Sequence, residues 1–157
     1  MKRLSILLVS AAVAISGATI SFASTEAELK AAVEARQENM KQRGKELGAL
    51  GAMLKGEVAY DAAAAQAAAD ALLATVTADQ SGFWLPGTDS DTFPGSRAMP
   101  AIWAEGSKAG EEGAALVVAA EAMVATAGQG VDGIKASMGG VGAACSSCHK
   151  AYRAPKK

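Results

Sequence analysis

The segment CSSCH, Cys145 to His149, holds both cysteines and the single histidine of a 157-residue chain. On a helix, positions i, i+3 and i+4 share a face, so two thiols and one imidazole would project towards one object. A c-type haem requires such a set: two thiols add to its vinyl groups, and the adjacent imidazole binds the iron from one side of the ring. Other chemistries fit less well. Structural zinc takes four ligands, and these residues offer three. A dithiol redox pair expects a strand-to-helix setting in an α/β fold. A plain disulfide would leave His149 unexplained.

The elements that must position this motif read as helices. Alanine is abundant, aromatics make up 4% of residues, and the β-branched residues do not alternate. A first helix opens on a capping box, Thr25 with Glu28, and presents Leu29, Val33, Arg36, Met40, Gly44, Leu47 and Gly51 inward, ending near Leu54. Asp61 caps a second, whose inner face is Ala62, Ala65, Ala69, Leu72 and Val76 and which fades by Asp79. A loop of about twenty residues follows, with three of the four prolines; loops of that length inside a compact domain are usually functional or disordered, and its aromatics argue for one folded onto the core. A third helix is expected from Met99 or Pro100, with Ile102 or Trp103, Gly106, Gly110, Gly113, Val117, Ala120 and Val124 inward, up to a turn at Gly128–Gly130. The fourth is the most regular. Val131, Ile134, Met138, Val141, Cys145, Cys148 and Tyr152 alternate steps of three and four, the spacing of one seam packed inside a bundle.

Four helices with short first and third connections predict an all-α, antiparallel up-down-up-down four-helix bundle. Many inward positions are Ala or Gly. Gly139, Gly140 and Gly142, just before the motif, each cost a helix roughly 1 kcal/mol against Ala, which a bulky group near the backbone would offset.

Residues 1–23 stand apart. Lys2 and Arg3, an apolar stretch from Leu4 to Ile20 and small residues at Ser21 and Ala23 have the anatomy of an export signal, cleaved after Ala23; the apolar core is short for a spanning anchor. The bundle is then residues 24–157. Loss of Lys2 and Arg3 from 15 basic and 16 acidic residues leaves it mildly acidic, with no basic patch for nucleic acid and no membrane segment. Export agrees with the motif, since c-type attachment takes place outside the cytoplasm.

With CxxCH at the end of the last of four helices, the chain resembles the cytochrome c-prime family of class II cytochromes c, which includes the c-556 type. The resemblance spans essentially all of residues 24–157 and rests on CSSCHKAYR, RQENMK, KGEVAYDAAA and LPGTDSDTFPGSRAMPAIW. It implies one haem c per chain, held through thioethers to Cys145 and Cys148, with His149 as axial iron ligand. It places Arg36 and Gln37 beside the haem propionates and Met40 over the distal face of the iron. It makes Phe83 and Trp103 walls of the haem and Arg153 a neighbour of the proximal histidine. Ordinary packing accounts equally for the two aromatics, and a helix-end charge for Arg153.

Met40 is the natural sixth ligand, because no second histidine exists and Met138 shares a helix with His149. The family holds both five-coordinate members with an unbound distal side chain and six-coordinate members of the c-556 type with a bound methionine; the RQ pair and the LPGTDSD loop favour the first. The functions implied are periplasmic electron transfer with transient redox partners, and capture of nitric oxide or carbon monoxide at an open distal face. A homodimer through the first two helices is compatible with either. An enzyme is not expected: with His149 on the iron, no distal base remains for peroxidase chemistry.

Overall fold

The structure, a computed structural model, describes residues 24–156. The expected cleavage site and the segment before it lie outside the described residues. Four α-helices follow one another: α1 (Glu26–Leu54), α2 (Ala62–Thr77), α3 (Ala109–Thr126) and α4 (Val131–Tyr152). Each packs along the next, and α1 also meets α4, which closes the antiparallel bundle. The only pairing of strand type among the described residues is one isolated antiparallel bridge between Ala98 and Arg153.

Local sequence explains the helix starts. Thr25 and Glu28 form the reciprocal capping box on α1, and the Asp61 side chain accepts the Ala64 amide to start α2. α3 departs from expectation. Pro100–Ile102 is a single 3-10 turn, and Gly106 adopts φ +75, a left-handed conformation that interrupts any helix there; α3 begins only at Ala109. Gly110 and Gly113 are accordingly exposed, and Leu116, Ala120 and Met123 are the residues α3 buries.

The core is made of small and medium side chains. Leu50, Leu72, Met123, Ile134 and Val141 are fully enclosed, together with Ala65, Ala69, Ala120 and Ala127. On α1 the buried stripe is Ala32, Val33, Arg36, Arg43, Glu46, Leu50 and Met53. It differs from the expected one in turning Gly44 outward and drawing Arg43 and Glu46 in. On α2, Ala62 is exposed while the rest of the expected face is inside.

The segment between α2 and α3 folds back on the bundle. Its end is laced to the end of α4: Met99 N donates to Tyr152 O at 2.9 Å, Ala154 N to Arg97 O at 2.8 Å, and the Arg97 side chain to Ala154 O at 2.7 Å. At the other end of the bundle, the Tyr60 hydroxyl donates to Ala127 O at 2.9 Å and accepts Gly130 N at 2.8 Å, fixing the turn that delivers α4.

Candidate functional site

Cys145, Cys148 and His149 lie on one face of α4 in its last two turns, all half-buried, with both cysteines as free thiols. Burial raises both thiol pKa values. A reactive redox dithiol would need the opposite, a lowered one. The imidazole of His149 is pushed towards its neutral form, first by burial and then by the positive charges of Arg153, Arg97 and Arg43. Neutral imidazole is the form with a lone pair to give a metal. Zinc finds no further support, since no three His, Cys, Asp or Glu side chains converge on a metal position among the described residues.

Space for a large group adjoins the motif. A groove of about 480 Å³ is lined by Gly142, Cys145 and His149 with Arg97, Arg153 and Pro155. A Cβ built on Gly139 or Gly142 would meet nothing within 4 Å. Across from this face, α1 supplies Arg43, which is buried and whose Nε–H has no acceptor. Two free thiols, an imidazole pushed towards its neutral form, open space and a buried donor without an acceptor fit a covalently held haem.

The α1 residues divide. Arg36 is 5% exposed and turned into the returning loop, donating to Phe83 O at 3.1 Å, to the Thr88 hydroxyl at 2.7 Å, to Ser96 Oγ at 2.7 Å and to Thr88 O. Its guanidinium also lies over the rings of Trp84 and Trp103, 5.3 and 6.0 Å from their centroids. Burial lowers its pKa, and Asp89 works against that. Gln37 is exposed and donates to Gly95 O at 3.0 Å. Met40 is half-buried, with its sulfur 3.9 Å from Nη1 of Arg43. Phe83 offers its carbonyl to Arg36. Trp103 packs against Trp84, centroids 6.4 Å apart, and donates its Nε1–H to Trp84 O at 2.9 Å. Arg153 is exposed beside His149.

Sequence reasoning passed over Arg43, Thr88, Ser96 and Arg97. Arg43 was within reach of it, because it stands seven residues after Arg36 and three after Met40 and so repeats their face. The other three acquire their contacts only when the loop closes.

Residues 31–153 match the family model described as Cytochrome C'. The chain belongs to the cytochrome c' family. It is 38% identical to cytochrome c' of Cereibacter sphaeroides over 136 residues, covering 87% of this chain and 91% of that one. It is 36% identical to cytochrome c-556 of Agrobacterium fabrum over 129 residues, 79% of this chain and 82% of that one. The solved cytochrome c' from Rhodobacter spheriodes superposes with a TM-score of 0.78 at 38% identity, covering 82% of this chain and 98% of that one. More distant solved members include a nitric oxide complex of a leucine-to-isoleucine mutant of cytochrome c prime from Alcaligenes xylosoxidans (TM-score 0.70, 29% identity, 81% of this chain, 97% of that one). Another is a cytochrome c' with ligand-controlled dimer dissociation (TM-score 0.72, 30% identity, 85% of this chain, all of that one). Haem c, attached covalently, is the cofactor of the family, and the four-helix bundle is its fold. The relatives named are bacterial, and no described helix is long and apolar enough to cross a membrane.

Proposed function

We propose that this cytochrome is a periplasmic electron carrier that also binds nitric oxide or carbon monoxide at the distal face of its iron, and that it is not an enzyme. Haem c, when bound, supplies an iron that cycles between ferric and ferrous states and offers an axial position to a diatomic ligand. Cys145 and Cys148 would hold it, and His149 would give the proximal nitrogen. Arg36, with four bonds to the loop, keeps the wall of the site closed; it and Gln37 would lie beside the propionates of a bound haem.

The observation that carries the reading is the placing of His149, the only histidine in the chain, half-buried on one face of α4 with both thiols. A bound iron would find one protein nitrogen, with Met40 or an external ligand for its other face. The Met40 sulfur sits against the Arg43 guanidinium rather than free in the site, which favours the open face. The nitric oxide complex of the Alcaligenes protein is consistent with that use.

A second reading follows from the c-556 relative: Met40 binds the iron, and the protein is a six-coordinate, low-spin carrier. The absorption spectrum of the purified ferric protein decides between them. A high-spin spectrum that barely changes in Met40→Ala is expected. The weak red band of methionine-bound ferric haem, lost in Met40→Ala, would establish the second reading instead. Transient redox partners and a homodimer through α1 and α2 belong to the same proposal. Export is tested by mass spectrometry: a periplasmic chain starting at Ser24 and carrying one haem is expected, and one starting at Met1 would argue for a retained anchor.

A further inference from the structure

Arg43 stands on α1 one turn after Met40, and only 9% of its surface is exposed. Its Nη2 donates to the Thr75 carbonyl at 3.2 Å and its Nη1 lies 3.9 Å from the Met40 sulfur, while Nε–H is sealed from solvent without an acceptor. Among the described residues no carboxylate pairs with it. The nearest along α1, Glu46, accepts from Gln42 at 2.7 Å and pairs with Lys45 at 3.5 Å. From α4, the thiols of Cys145 and Cys148 are the groups that meet its charge. A buried guanidinium without a counter-charge is costly, so a fold that keeps one is completed by an acceptor it does not itself contain.

Position decides what that acceptor is. Thioethers form at the vinyl groups, which lie across the haem from the propionates. Arg43 is held away from the loop that Arg36 grips, on the Thr75 carbonyl of α2, and the α4 groups that feel its charge are the two thiols. The resemblance assigns the propionate side to Arg36, seven residues away, or about 10 Å along the helix. The contact with Met40 sets the guanidinium beside the sulfur that would overlie the iron of a bound haem.

We propose that Arg43 is an anion-binding residue of the distal pocket, which sets its Nε–H and its charge against a small ligand that is negative when bound at the iron. The inference rests on the reading that Met40 overlies the iron. It gives the pocket a preference, because an anion gains a charge-assisted hydrogen bond there and neutral carbon monoxide gains little.

The test is azide titration of the ferric holoprotein, followed by haem absorbance, in a Met40→Ala background that opens the distal face whatever Met40 does in the native protein. Adding Arg43→Met is expected to weaken azide binding roughly tenfold, about 1.4 kcal/mol, while carbon monoxide affinity of the ferrous form changes by less than about threefold. Arg43→Lys, which keeps the charge without the Nε donor, is expected to fall between. Equal azide affinity with and without Arg43 overturns the proposal. A parallel loss of azide and carbon monoxide binding also overturns it, since that marks altered packing rather than a lost anion contact. The native spectrum judges the state of Met40 separately, so failure of the open-face reading leaves this comparison intact.

Discussion

Arg36 donates to both the hydroxyl and the carbonyl of Thr88, a residue 52 positions further along the chain. One side chain of α1 thereby closes the loop that precedes α3. Arg36→Ala would strand the Thr88, Ser96 and Phe83 acceptors and remove the cation between Trp84 and Trp103. A loss of about 3 kcal/mol is expected, in the range for breaking a buried charged network. Urea unfolding of the holoprotein measures it; a loss under about 1 kcal/mol would mean the loop is held by other contacts.

Replacing Cys145 and Cys148 by Ala should release haem into acid acetone, because the thioethers are the covalent link. Haem that stayed with the protein would disprove their role. Replacing His149 alone should leave the haem attached and change its spectrum, as the proximal nitrogen is lost.

Gly133 is packed against the preceding turn so closely that an added Cβ would lie 2.1 Å from the Thr126 carbonyl oxygen. Gly133→Ala must displace backbone, and a loss of about 2–3 kcal/mol is expected from that overpacking. A thermal melt checks it. An unchanged melting temperature would show that the turn before α4 yields freely.

The Asp89 carboxylate accepts from the Thr92 hydroxyl at 2.6 Å and from the amides of Asp91 and Thr92, and these bonds hold its pKa below the ordinary 3.8. A depressed carboxylate pKa contributes stability that is complete above 3.8 and is lost as pH falls through the lower folded value. Asp89→Asn should therefore lower stability near neutrality and flatten its fall below pH 3.8. Acid titrations followed by circular dichroism compare the two proteins; identical acid limbs would remove Asp89 from the account.

The helices and the motif were legible because their signals are local. Ile134, Val141 and the CSSCH set follow from spacing along α4, and both caps follow from residues three apart. The third helix was less so. Apolar spacing runs straight through Gly106, since a periodic stripe carries no record of the left-handed backbone that ends it. On α1, charge suggests an outward face, yet Arg43 and Glu46 are buried, Arg43 with its guanidinium on the Thr75 carbonyl of α2. The Arg36 cage joins residues 47 to 60 positions apart, a relation that exists only once the loop has returned to α1.

The alanines that fill the centre of the bundle have a thermodynamic consequence. Ala65, Ala69, Ala120 and Ala127 expose little hydrocarbon to water when the chain unfolds, compared with leucines at the same places. Apolar exposure is the positive contribution to the heat capacity of unfolding, so that heat capacity is smaller than leucines at these four places would make it. Its stability curve is correspondingly broader: the protein gains less on cooling towards its optimum and loses less on moving away from it.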